Sequence, residues 1–179
     1  VVETMGRDCG YLALMSGIAA GAERIYTNED GISLDDLAND VHWLRESFAH
    51  GRRLFLAVRN ENASHNYTTD FIARLLEEES HGMYDVRQVV LGHMQQGGSP
   101  SPFDRLLATR LAYRALNLID DELAAHHDGS WFIGVSEAGM RPSSMDTMPS
   151  LIDAAHRRPR EPWWLQLGII ARTVSDEVR

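Results

Sequence analysis

The chain has 179 residues, 44% of them hydrophobic and 24% charged, enough for one domain or two small lobes sharing a core. A net charge of −9 excludes a broad nucleic-acid surface, and no apolar run nears the roughly 18 residues of a spanning helix, so neither nucleic acid nor membrane is expected as a partner. The single cysteine, Cys9, excludes an internal disulfide and any CxxC metal site, and the cytoplasm is the expected location.

The opening VVETMGRDCG has no initiator Met and no leader, and reads as the interior of a longer chain. Residues 1–3 end a buried strand, Met5-Gly6-Arg7 makes a turn, and residues 10–20 form a helix whose small residues suit close packing on a sheet. A short strand follows at 23–27. Ser33 begins a helix with Asp36 as a capping partner, and Gly51 ends it. LFLAV, 54–58, is a continuous apolar strand of the kind buried on both faces. Thr69 or Thr68 caps the next helix, with Phe71, Ile72, Leu75 and Leu76 inward, before Gly82 closes it, and 89–91 is another strand. Ser101-Pro102-x-Asp104 then opens a helix running to about residue 125, because Ser, Pro and Asp each suit their place in a first turn. Residues 131–135 form a strand, 138–149 read as a surface loop, and 150–155 as a short helix. Strands alternating with long helices give an α/β fold with a mainly parallel, doubly wound sheet.

Ligands of such sheets bind beyond the carboxyl ends of the strands. Three ends carry unusual polar turns: Met5-Gly6-Arg7, Arg59-Asn60-Glu61, and Gly92-His93-Met94-Gln95-Gln96-Gly97-Gly98. The glycines allow close backbone approach, Arg7 and Arg87 offer forked donors to phosphate, and Glu61 can accept from sugar hydroxyls. The sum suggests a phosphorylated polyol. For His93, spacing leaves a phosphate donor and a structural histidine both open. Trp163-Trp164 reads as an aromatic clamp on the core, Glu77-Glu78-Glu79 and Asp120-Asp121 as solvated helix faces, and His126-His127 as a loop pair. HRRPR is a basic loop that can reach a phosphate, and Cys9 has no base beside it.

Taken together, VVETMGRDCGYLAL, RNENASHNYTTDF, VLGHMQQGGSPSPFDR and HRRPREPWWLQL resemble the 6-phosphofructokinase family over almost the whole chain, least from 124 to 153. The resemblance implies a doubly wound α/β architecture, an oligomer of phosphofructokinase subunits or halves, and phosphoryl transfer from MgATP to fructose 6-phosphate. It places sugar-phosphate contacts on Met5, Gly6, Arg7, Glu61, Arg87, His93, Met94, Gln95, Gln96 and Arg157. It also implies a sugar-phosphate lobe at 1–99, a return toward the nucleotide side at 100–149, and a closing segment at 150–179. The family's nucleotide loop, Mg2+-binding Asp and Thr-x-Asp-x-Asp turn do not occur in these residues, so ATP and Mg2+ are expected to bind mainly elsewhere and the piece to be inactive alone, with no catalytic or metal residue of its own.

Active halves of the family resemble LGHxQRGG, whereas Gln96 stands here; an amide donates hydrogen bonds but brings no charge. MQQGG and RNENxxxNYTTDF instead resemble the C-terminal half of the duplicated eukaryote-type enzymes, whose old active site is an allosteric pocket for fructose 2,6-bisphosphate. Arg7 matches the active-site pattern MGR rather than the MGG of animal versions, which favours the alternative, a fructose 6-phosphate lobe of an active half. A non-enzymatic interaction module would need four motif matches by coincidence.

Overall fold

Ala57 and Val58 point to opposite faces of one strand, and the first of two units is built on that alternation. The computed structural model describes residues 1–136 and 139–176. One unit comprises Val1–Gly97, His156–Arg158 and Pro162–Arg179; the other comprises Gly98–Ala155 and Pro159–Glu161.

In the first unit the elements run β1 (Val2–Thr4), α1 (Tyr11–Ala20), β2 (Arg24–Tyr26), α2 (Leu34–Ala49), β3 (Ala57–Asn60), α3 (Thr69–Glu79) and β4 (Val89–Val90). The strands form one sheet in the order β2-β3-β1-β4, and every pairing is parallel. Ala57 joins Tyr26, Leu37, Leu44, Ile72 and Leu76 in a core under α2 and α3, while Val58 joins Ala13 and Ala22 in a second core under α1. Helices therefore cover both faces, as a doubly wound sheet requires.

The helix starts follow the sequence closely. Ser33 and Asp36 form a reciprocal capping box, and Thr68 rather than Thr69 caps α3 through the Phe71 N–H. Thr69 itself is buried and bonded inward. A 3-10 turn, Trp163–Gln166, and α6 (Leu167–Asp176) return to the α1 face, where Trp164 is 3% exposed and meets Tyr11 edge-on with centroids 5.4 Å apart. The expected aromatic clamp is formed there.

The central strand differs from the expectation of 54–58. Leu54 is 82% exposed, and β3 instead runs on into Arg59 and Asn60, both fully buried. The charge is buried because partners neutralise it: Arg59 Nη1 lies 2.6 Å from Glu3 Oε2 and 2.8 Å from Thr69 Oγ1, and Nη2 donates to the Ser64 carbonyl at 3.0 Å. Glu3 is Arg59's register partner across the β1–β3 pairing.

The second unit holds α4 (Pro102–Ala124), capped by a box between Ser101 and Asp104 with Pro in the first turn, as expected. Its strands β5 (Trp131–Ser136) and β6 (Gly139–Ser144) pair antiparallel, so residues 139–144 of the expected surface loop are a strand. The short helix lies earlier than expected, as α5 (Met148–Leu151). Ladder pairing with β5 satisfies a backbone that its Pro and Ser content alone assigns to a loop. Among the described residues no helix is long and apolar enough to cross a membrane.

Removing Glu3's charge leaves the Arg59 guanidinium, whose side chain is 2% exposed, without its counter-ion. Glu3→Gln is expected to cost about 3–5 kcal/mol in urea unfolding. The double change Glu3→Met with Arg59→Met is expected to recover most of that loss.

Candidate functional site

Three consecutive main-chain amides converge at the carboxyl end of the sheet, and each is held by a side-chain oxygen. Met5 N donates to Gln95 Oε1 at 2.7 Å; Gly6 N and Arg7 N both donate to Glu61 Oε1, at 3.0 and 2.7 Å. Glu61 is delivered by β3, whose strand pairing continues one step through Glu61 N to the Thr4 carbonyl at 3.0 Å. Gln95 is delivered by the 3-10 turn Gly92–Gln96 that follows β4. The turn after β1 thus meets the turns after β3 and β4 in one crevice, joining Met5, Gly6, Arg7, Glu61 and Gln95.

The local backbone explains why these amides point the same way. Gly6 has φ of 145° and Arg7 φ of 49°, both in the region that side chains disfavour. Successive N–H groups in such a turn form a concavity for an oxygen or an anion. A Cβ on Gly6 would lie 2.4 Å from the Cys9 carbonyl oxygen and 2.8 Å from Asn60 Nδ2. Only glycine fits.

The remaining expected residues are placed as follows. Arg7, His93, Met94 and Gln96 are exposed around the crevice turns, and Arg157 is exposed with φ of 53°. Arg87 lies elsewhere: it precedes β4, its carbonyl accepts from Val1 N at 2.7 Å, and its guanidinium is 83% exposed. That is the amino end of the parallel strands, opposite Glu61 and Gln95, so Arg87 does not share their crevice within one chain. A groove of about 780 Å³ opens at that end, lined largely by apolar side chains such as Leu44, Phe48, Leu54, Phe55, Leu56 and Leu76, together with Arg52, Arg53 and Arg87.

The sequence reading missed a fourth strand end. After β2, Glu29 accepts the Gly10 N–H and pairs with Arg158, while Asn28 Nδ2 donates to the Asn62 carbonyl at 2.8 Å. The polar turn Thr27-Asn28-Glu29-Asp30 carried the same signal as the other three. Burial pushes the Cys9 thiol above its ordinary range, which disfavours the reactive thiolate. Among the described residues no group of three or more His, Cys, Asp or Glu is placed to hold a metal ion.

Fold and crevice together define an α/β protein of the doubly wound type with its polar site at the strand ends. The Phosphofructokinase family pattern matches residues 1–119, and the chain belongs to that family. It is 39% identical over 184 residues to the platelet-type ATP-dependent 6-phosphofructokinase of Rattus norvegicus, a match covering 98% of this chain and 23% of that protein. It is 40% identical over 185 residues to the muscle-type enzyme of Homo sapiens, covering 98% of this chain and 24% of that one. The phosphofructokinase structure from Saccharomyces cerevisiae superposes with a TM-score of 0.90 at 31% identity, over 99% of this chain and 25% of its own. The Pichia pastoris phosphofructokinase in the T-state gives 0.87, also at 31%, over 98% and 22%. The chain spans about a quarter of the length of these relatives.

Gly6→Ala places a methyl group against backbone in a disfavoured conformation, at a cost of about 1–3 kcal/mol from the strain alone. Urea unfolding is expected to show that loss, whereas Gly98→Ala, where an added Cβ meets nothing within 4 Å, is expected to stay near wild type.

Proposed function

We propose that the crevice binds a fructose phosphate, and that in the longer phosphofructokinase this ligand is the activator fructose 2,6-bisphosphate. The observation that carries the reading is the convergence of the Met5, Gly6 and Arg7 amides on side-chain oxygens that a ligand oxygen can replace. Arg7 and Arg157 supply positive charge for phosphate, and the second oxygen of Glu61 accepts from a sugar hydroxyl. His93, Met94 and Gln96 complete the rim. Gln96 contributes hydrogen bonds without charge, which suits a binding pocket better than the stabilisation of a transferring phosphoryl group. Binding activates only through a higher affinity for the active state of the whole enzyme.

The whole enzyme, in this reading, transfers a phosphoryl group from ATP to fructose 6-phosphate in the cytoplasm. ATP and Mg2+ would bind mainly outside these residues, in the parts of the longer enzyme that carry its nucleotide loop and Mg2+-binding Asp. The piece alone would then be inactive. Arg87, at the far end of the sheet, can offer its guanidinium only to a crevice of another subunit or half, which is how phosphofructokinase partners enter the proposal.

The second reading, a substrate lobe for fructose 6-phosphate, is favoured by Arg7, whose charge suits a reacting phosphoryl group. Titration calorimetry on the full-length enzyme, wild type against Arg7→Gln, separates the two. The regulatory reading expects fructose 2,6-bisphosphate affinity to fall tenfold or more, about the worth of one charge-assisted contact, with turnover still measurable. Loss of turnover together with fructose 6-phosphate binding would establish the substrate reading instead.

A further inference from the structure

Glu29 is a carboxylate that the fold has taken out of water, with its side chain 6% exposed. Both its oxygens accept the Gly10 N–H, at 3.1 and 2.9 Å, at the start of α1, where negative charge is favoured. A Cβ on Gly10 would lie 2.6 Å from Glu29 Oε2 and 2.5 Å from Thr27 Cβ, so the approach depends on glycine there. A buried carboxylate also needs a counter-charge. It comes from far along the chain: Arg158 Nη1 is 3.4 Å from Glu29 Oε1.

The same nitrogen does more than neutralise Glu29. Arg158 Nη1 donates to the Asp8 carbonyl at 2.9 Å and to Asn28 Oδ1 at 3.2 Å. Asn62 Nδ2 in turn donates to Asp8 Oδ1 at 3.0 Å, and Asn28 Nδ2 to the Asn62 carbonyl at 2.8 Å. One guanidinium therefore ties the chain after β1, after β2 and, through the asparagines, after β3. Asp8 is the immediate neighbour of Arg7, and Glu61 the immediate neighbour of Asn62. On the other side of Arg158 stands Arg157, exposed and in a left-handed backbone at φ of 53°. A non-glycine residue keeps that conformation only where its surroundings hold it.

We propose that Arg158 is the positioning residue of the fructose-phosphate site. By pairing with Glu29 and holding Asp8 and Asn28, it fixes the 156–158 segment so that Arg157 is presented beside the loop carrying Arg7. Arg158 acts through Arg157 and touches no ligand. The inference rests on the reading of the crevice as a fructose-phosphate site.

The test is calorimetric titration of the full-length protein with fructose 2,6-bisphosphate and with fructose 6-phosphate. Arg157→Ala is expected to weaken binding about tenfold, and Arg158→Met to come within about threefold of that loss. Because Arg158 works through Arg157, the double variant is expected to be no weaker than about twice the weaker single. Arg158→Lys is expected to bind nearly as wild type, since all three contacts leave from one nitrogen and an ammonium carries three donors. If Arg158→Met does not fold, Glu29→Gln removes the same ion pair from its other end and is expected to weaken binding only while Arg157 is present. Wild-type affinity in Arg158→Met, or in Glu29→Gln in its place, would overturn the proposal, as would losses that multiply in the double variant. Failure of the underlying reading is seen separately, as undiminished affinity in Glu61→Gln.

Discussion

A buried guanidinium sets the geometry of the sheet end. Arg59 occupies the central strand, where a buried charge is tolerated because neighbouring elements bring it partners. β1 supplies Glu3, α3 supplies Thr69, and the loop after β3 supplies the Ser64 carbonyl. Slipping β1 by one residue would turn Glu3 to the other face and orphan the charge, so the pair fixes register more than it adds net stability. With register fixed, Glu61 follows directly, its N–H bonded to the Thr4 carbonyl and its carboxylate accepting the Gly6 and Arg7 amides.

The crevice is therefore preorganised, and its donors are already occupied. A ligand oxygen entering it exchanges one hydrogen bond for another, which yields little net energy. In the proposed reading, affinity comes from charge and shape: the exposed Arg7 and Arg157 for phosphate, and a glycine turn with no room for a methyl group. The neutral amides of Gln95 and Gln96 position without adding field. In the proposed reading, that combination suits a doubly phosphorylated sugar better than a reacting phosphoryl group.

Much of this was legible in the sequence because it rests on local chemistry. Ser33 with Asp36, and Ser101 with Pro102 and Asp104, announce their helices through caps that need no tertiary context. The polar turns after β1, β3 and β4 stood out because each follows a run of apolar residues. That same rule misplaced β3: Arg59 and Asn60 look like the strand's exit, whereas Arg59 is held inside by partners 10 and 56 residues away. Glu29 and Arg158 were illegible for the same reason, since the two lie on opposite ends of the chain. Arg87 was grouped with the crevice by charge, yet its position before β4 rather than after it puts it at the other end of a parallel sheet.

In the proposed reading, fructose 2,6-bisphosphate is received by the Met5, Gly6 and Arg7 amides. Backbone hydrogen exchange on the full-length protein, with and without saturating ligand, measures this directly. Exchange at those three amides is expected to slow in the presence of the bisphosphate. Unchanged exchange there at demonstrated saturation would contradict it and place the ligand elsewhere on the molecule.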